Sequence, residues 1–565
     1  MMNKVIIYQI FTRLFGNRNT SRIEHGTIAE NGCGKFADID EDCLKKIKKL
    51  GVSHVWYTGV IRHATQTDYS DYGLPTQHPG VVKGKAGSPY AITDYYDIDP
   101  DLSIDVPHRM EEFEQLVART HRAGLKMIID FVPNHVARQY CSVAKPAGVI
   151  DLGADDDKSK GFDAQNNFYY CPQHHLQPSF ETALGAMRAY EEFPAKATGN
   201  DHFDPWPGQN DWYETVKLNY GVDYYAGRVG HFDPIPNTWM KMVDILLFWA
   251  AKGIDGFRCD MAEMVPAEFW AWATKQVKTL YPELVFIGEV YNPSEYRHYI
   301  ASGFDYLYDK VGMYDTLKSV MVHGTHPSAI THSWQAVEDI ADHMLYFLEN
   351  HDEQRIASSF FVGDARKGVP ALIVSTLLRS NPFMLYAGEE YGEKGMDKEG
   401  FSGVDGRTTI FDYWNIDTLC RASWKSLTDE EKALYDLHVK VLNIAQKEKA
   451  VTQGQFFDLM YVNGQLSHQY AFLRKAGNDL LLIVANFEDA PVRCAVNLPQ
   501  HAFDYLALPE KKVVATDLLS GVKYECQLSP EEAVKVDLSP CSGVVLKMSV
   551  ARPRKTKKDG RATAE

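Results

Sequence analysis

The stretch Ile254-Asp255-Gly256-Phe257-Arg258-Cys259-Asp260 decides the fold. It is a short apolar run closed by a carboxylate. An amphipathic helix precedes it: Trp239, Met242, Val243, Leu246 and Trp249 share one helical face, and Gly253 suits the left-handed position that ends a helix. The unit recurs. Leu44, Ile47 and Leu50 lie at helical spacing before Gly51 and an apolar run at 52–57; Met110, Phe113, Leu116 and Val117 share a face before Gly124 and a run at 126–132. Helices alternating with strands predict parallel pairing. A doubly wound nucleotide fold would carry Gly-x-Gly-x-x-Gly after an early strand, and the sequence has none. A closed (β/α)8 TIM barrel needs about 250 residues plus insertions and presents functional groups at strand ends, which fits better. Its strands are expected near 4–10, 52–58, 126–132, 254–260, 284–290, 304–308, 344–349 and 382–387.

Two stretches break the pattern. Residues 136–237 are rich in Asp, Gly, Pro, Tyr and His with weak periodicity, too long for a loop, and read as a subdomain inserted after the third strand. Beyond about 449, short alternating strands such as 469–474 and 480–487, joined by Ala476-Gly477-Asn478-Asp479, predict an antiparallel β-sandwich domain. The layout is then barrel at 1–135 and 238–448, insert at 136–237, β-sandwich at 449–549 and a basic, disordered tail at 550–565.

With 565 residues the chain implies more than one core, and 45% hydrophobic content is ordinary for a globular protein. A net charge of −16 disfavours nucleic acid and anionic membranes as partners. Nine cysteines, an odd number with no Cys-x-x-Cys, give no zinc or redox motif and read as small buried residues in a reducing compartment. The run at 5–11 is too short to span a bilayer and shows no cleavage site, so a soluble, cytoplasmic protein is expected. The 12% aromatic content serves core packing and also suits a cleft that stacks sugar faces.

Several predicted strands end in polar groups. Arg258 and Asp260 lie two apart on a strand and so face one way, where a guanidinium would keep the carboxylate ionised and aimed. A structural Arg–Asp pair is the plainer alternative. Gly288-Glu289-Val290 ends the next strand; a neighbouring Asp260 charge would raise the Glu289 pKa and fit it for general acid work. Asn350-His351-Asp352 follows an apolar run and reads either as a turn or as a hydroxyl-binding group. Asp130 to His135 ends the third strand, with Asp130 suited to bracing it and His135 to a substrate hydroxyl. Tyr90, in Gly87-Ser88-Pro89-Tyr90, offers a stacking ring. Three carboxylates and an Arg converging on one rim point to chemistry on a glycosidic bond.

Together these motifs resemble the α-amylase family of glycoside hydrolases (glycoside hydrolase family 13), over essentially residues 1–549. The matching residues are Asp130-x-Val132-x-Asn134-His135, Gly256-x-Arg258-x-Asp260, Glu289 and Asn350-His351-Asp352. The resemblance implies that Asp260 is the nucleophile, Glu289 the acid/base and Asp352 the third catalytic carboxylate. Tyr90, His135, Arg258 and His351 would bind the glucosyl unit before the broken bond. The implied substrate is an α-glucan or oligosaccharide, cleaved at α-glucosidic, chiefly α-1,4, bonds with retention through a covalent glucosyl–enzyme. Transfer to an acceptor sugar, isomerisation of a disaccharide, and a non-catalytic carbohydrate-binding scaffold remain alternatives, though scaffolds of this kind usually lose a carboxylate. No cofactor is required for the chemistry.

The resemblance leaves calcium open. Asn134 matches a usual calcium ligand, whereas Met264 stands where many relatives have a His that binds calcium through its backbone. A second calcium reading, Asp155-Asp156-Asp157-Lys158-Ser159-Lys160-Gly161, has its Gly one place late for an EF-hand loop. Tyr90 lies in Ser-Pro-Tyr where many relatives have His-Gly-Tyr. The insert, with Trp206, Trp212, Tyr220 and Tyr224, is expected to lie over the barrel mouth and set chain-length preference.

Overall fold

A computed structural model describes residues 4–395, 401 and 403–551. The predicted basic tail lies outside the described residues from 552 onward.

Eight parallel strands close into a barrel: β1 (Ile6–Phe11), β2 (His54–Thr58), β3 (Lys126–Phe131), β4 (Gly256–Cys259), β5 (Val285–Gly288), β6 (Tyr306–Tyr308), β7 (Met344–Phe347) and β8 (Phe383–Tyr386), each hydrogen-bonded to its sequence neighbours and β8 to β1. Their period of two separates two cores. Ile7, Trp56, Ile128, Ile287, Leu345 and Met384 pack together inside the barrel, while Ile6, Val55, Met127, Phe257, Phe286 and Leu385 belong to the cluster facing the surrounding helices. Complete burial of such a side chain contributes roughly 1.5–3 kcal/mol.

The helix–glycine–strand unit forms as its residues dictate. Helix α1 (Glu41–Lys49) is capped by Asp40, whose carboxylate accepts from the Cys43 N–H; Glu41 and Asp42 sit in its first turn and Lys46, Lys48 and Lys49 in its last. That order complements the helix dipole. Helix α2 (Arg109–Arg122) precedes β3, and α3 (Asn237–Ala251) precedes β4. The glycines after these helices, Gly51, Gly124 and Gly253, have φ of +94°, +71° and +86°, the left-handed turn that sends the chain back into the barrel.

Residues 138–236 form no helix; their strands are short antiparallel pairs, Tyr170–Cys171 with Ala195–Lys196 and Val222–Asp223 with Val229–Gly230. The pair that ties this insert to the barrel is His135–Ala137 with Thr215–Lys217, in which His135 lies opposite Lys217. Ahead of it, a further hairpin not foreseen from the sequence pairs Ile61–His63 with Ile92–Ile98 and sets the position of Tyr90.

The C-terminal region is an antiparallel six-stranded sheet in the order Gln455–Asp458, Gln469–Ala476, Asp479–Asn486, Ser542–Ser549, Lys511–Asp517, Lys523–Leu528. A second, two-stranded sheet pairs Val492–Val496 with Val534–Leu538. Ala476 pairs with Asp479, so Gly477 and Asn478 form a two-residue hairpin with the glycine at φ +55°. The buried Arg474 donates to the backbone oxygens of Leu378, Ala450 and Val451 and so fixes this sheet to the barrel.

Candidate active site

At the carboxyl ends of the barrel strands lies a cavity of about 370 Å³, whose lining includes Tyr90, His135, Trp212, Asp260, Glu289 and Asp352. Every strand end that the sequence marked as polar contributes to this rim.

Arg258 stands at its centre and is 1% exposed. It lies opposite Asp130 on β3 in the sheet register. Nη1 donates to Asp260 Oδ1 at 2.8 Å and lies 3.5 Å from Asp130 Oδ1; Nη2 forms an ion pair with Glu289 Oε2 at 2.7 Å; Nε donates to the Tyr308 hydroxyl at 3.2 Å. The rings of Trp56, Tyr90 and Tyr308 surround the guanidinium with centroids at 5.2, 5.5 and 5.5 Å. One planar fork therefore bridges two carboxylates and fixes their spacing. The sequence pattern indicated only its pairing with Asp260.

Glu289 is held by two further donors. Oε2 accepts from the Met261 N–H at 2.8 Å, and Oε1 accepts from the Tyr291 hydroxyl. Asp130 braces the strand ends, with Oδ2 accepting from Trp56 Nε1 at 3.1 Å and the Gly59 N–H at 3.3 Å. Burial lifts Asp130 to about 6 against the pull of Arg258. Burial also holds the Asp260 carboxyl well above its ordinary range; Arg258 opposes this, and the charges of Glu289 and Asp130 add to it. The sequence reading placed the upward pressure on Glu289 and expected Arg258 to keep Asp260 ionised; in the structure burial outweighs the guanidinium at Asp260.

His351 receives the Gln9 amide at Nδ1, 2.8 Å away, and its Nε2 faces Asp352 Oδ2 at 3.1 Å and the Tyr90 hydroxyl. Asp352 is half-buried, and its turn is built by Asn350 Oδ1, which accepts from the N–H groups of Asp352 and Glu353 at 2.8 and 2.9 Å. Both the turn reading and the convergence on the rim therefore hold for this motif. His135 Nδ1 contacts the Asn134 amide at 3.1 Å, and its ring meets Trp212 at 5.2 Å. Burial holds both imidazoles at about 3, His135 further lowered by Lys217 and Lys83, and His351 by Arg258. Each is a neutral ring able to hydrogen-bond a hydroxyl.

Tyr90, His135, Arg258, Asp260, Glu289, His351 and Asp352 are thus brought together. Of the four insert aromatics, Trp212 alone lines the cavity: Trp206 is 52% exposed, Tyr220 is buried and donates to the Pro133 carbonyl, and Tyr224 packs on Phe203. The sequence reading gave no role to Gln9, Trp56, Tyr291 or Tyr308. Gln9, a polar residue inside an otherwise apolar strand, was the available signal. Lys83 and Glu214, paired at 3.1 Å in the cavity wall, lie in loops whose pattern carries none.

The acidic loop at 155–161 is a set of turns. Asp156 accepts from the N–H groups of Asn167 and Phe168 and from the Tyr170 hydroxyl, and Asp157 accepts from Ser159. Among the described residues no three His, Cys, Asp or Glu side chains converge as metal ligands, and no helix is long and apolar enough to cross a membrane.

Residues 9–449 match the family model described as alpha amylase, catalytic domain. The chain is 25% identical over 474 residues to alpha-amylase 3 of Dictyoglomus thermophilum, covering 80% of this chain and 78% of that one. It is 22% identical over 505 residues to neopullulanase 2 of Thermoactinomyces vulgaris, covering 86% and 69%. Among solved structures, the maltogenic alpha-amylase AmyB of Thermotoga neapolitana superposes with a TM-score of 0.63 at 19% identity, over 97% of this chain and 99% of that one.

Proposed function

The chain belongs to the α-amylase family and is a glycosidase of that type, and from this premise we propose that it cleaves α-1,4-glucosidic bonds of starch, glycogen or maltooligosaccharides with retention. The observation that carries the reading is the bridge through Arg258. Contacts of 2.8 and 2.7 Å to one rigid guanidinium set the Asp260 and Glu289 carboxylates side by side. Retaining enzymes need their two carboxyl groups about 5–5.5 Å apart, and inverting enzymes leave about 6.5–9.5 Å for a water.

The contacts support the following steps. Arg258 occupies Oδ1 of Asp260, which leaves Oδ2 to attack the anomeric carbon. The glycosidic C–O bond breaks, and the Glu289 proton passes to the leaving oxygen. A glucosyl ester on Asp260 results. Water then attacks the same carbon, gives its proton to Glu289 and releases Asp260. Asp352 and His351 are placed to hold adjacent ring hydroxyls, and His135 and Tyr90 to close the other side of the sugar. Trp212, contributed by the insert, is placed to stack a sugar face and so to influence chain length.

Chromatography and NMR of products from starch, pullulan, maltose and trehalose test this. The expected first product is a short α-anomeric oligosaccharide from starch. A β-anomeric product would overturn retention, products from pullulan alone would overturn the α-1,4 preference, and longer oligomers without new reducing ends would assign transfer. Asp260→Asn and Glu289→Gln should each lower kcat at least 10³-fold, on the order expected for loss of the nucleophile or acid, with the melting midpoint retained. Near-normal rates in both would overturn the residue roles.

A further inference from the structure

The Lys217 ammonium is 2% exposed and sits among oxygens from three separate segments. It donates to Asn134 Oδ1 and to the Met264 carbonyl at 3.2 Å, and forms an ion pair with Asp201 Oδ1 at 2.7 Å. The ammonium donates to two of these oxygens, and its positive charge is matched by the Asp201 carboxylate. Asn134 and Met264 are two of the positions that the family resemblance connects with calcium. Calcium takes 6–8 oxygens at about 2.3–2.6 Å. This junction offers three protein oxygens, and an ammonium already lies between them. The residues do not fit a divalent ion while Lys217 is present.

The place matters for the site. Lys217 is the cross-strand partner of His135 in the pair that joins insert to barrel. Asn134 precedes His135 and contacts its ring. Met264 closes the turn whose first residue, Met261, holds Glu289 through its N–H. Asp201 comes from the insert, with its backbone at φ +62° and its other oxygen 3.6 Å from Arg228.

We propose that Lys217 is the resident cation of this junction, a positioning residue that does with its own ammonium what a bound divalent ion would do: clamp the insert to the barrel and hold His135 and the Glu289 turn in place. The protein then needs no calcium here, and removing the ammonium frees three oxygens, one of them a carboxylate, on which a hard cation completed by water can bind.

The test compares wild type with Lys217→Ala and Lys217→Met by melting, with and without a chelator and with calcium chloride added back. The wild-type midpoint should not change with chelator or calcium. Lys217→Met should melt several degrees lower, and Lys217→Ala likewise, with calcium raising the Lys217→Ala midpoint and leaving wild type unmoved. On maltooligosaccharide, Lys217→Ala should lose at least tenfold in kcat/KM, and calcium should return part of it. A wild-type midpoint that falls with chelator and recovers with calcium would overturn the proposal, as would an unchanged Lys217→Met, or a Lys217→Ala that calcium does not affect. If neither Lys217 variant folds, the wild-type chelator series still decides. The melting results stand whatever the substrate proves to be, so they fail independently of the hydrolase reading.

Discussion

Replacing Arg258 by Met keeps the approximate length of the side chain and deletes the guanidinium in contact with Asp260, Glu289 and Asp130. Removing one partner of a buried ion pair costs about 3–5 kcal/mol because the other charge is left without compensation. Here three buried carboxyl groups lose it together, and Asp130 and Asp260, already raised by burial, respond by binding protons. A carboxyl whose folded pKa is raised keeps a proton that the unfolded chain has released, so its contribution weakens the fold as pH rises through the window between the two values. For Asp130 that window already runs from 3.8 to about 6 with Arg258 present, and Asp260 is raised in the same direction. Without the guanidinium both windows extend upward. Arg258→Met should therefore lie close to wild type at pH 5 and fall below it by about 3–5 kcal/mol at pH 8, a drop of several degrees in the midpoint. Calorimetry of both proteins at the two pH values measures the gap. Arg258→Lys restores the charge without the fork, so it should recover part of the stability and little of the activity. A gap that is equal at pH 5 and pH 8, or absent, would refute the view that Arg258 opposes the protonation of Asp130 and Asp260.

Two other sites give independent expectations. Gly87 has φ +71°, and a Cβ built there would lie 1.6 Å from the Ala64 carbonyl oxygen, so Gly87→Ala should shift the turn that presents Tyr90 and lower both the melting midpoint and kcat/KM. Burial lifts Glu390 from 4.5 to about 7, so this group costs wild type stability as pH rises through that window; relative to wild type, Glu390→Gln should gain up to roughly 3 kcal/mol between pH 4.5 and 8 in denaturant titrations.

The barrel was legible because its repeating unit is local. Apolar spacing on α1, α2 and α3 and the glycines after them declare helix, turn and strand within about twenty residues. The strand-end residues were legible because a polar group closing an apolar strand is itself a local contrast. Less legible was anything set by pairing across the chain. The hairpin of Ile61–His63 with Ile92–Ile98 joins strands about thirty residues apart through register shifts, and its sequence shows no clean alternation. Lys217 looks like any exposed strand lysine until Asp201, Asn134 and Met264 are brought around it. Arg258 was read as one partner of Asp260, because strand periodicity reveals a neighbour two residues away and says nothing of Glu289 on the next strand.

The charge balance of the rim connects these observations to catalysis. Asp130, Asp260 and Glu289 face the buried Arg258 guanidinium, Lys83 in the cavity wall is matched by Glu214, and the two nearby imidazoles are neutral. The resting site is therefore short of positive charge, and the raised pKa values of Asp130 and Asp260 are the cost of keeping it so. In the proposed reaction, positive charge develops on the sugar ring in an oxocarbenium-like transition state. Fixed, largely buried carboxylates would stabilise that charge with little reorganisation, and more strongly than they would in water. A further cation at the rim without its own carboxylate would weaken that differential stabilisation; Lys83, in the cavity wall, is matched by Glu214. Lys217 respects this constraint: its charge is matched by Asp201 and reaches the site only through Asn134, His135 and the Met261–Met264 turn.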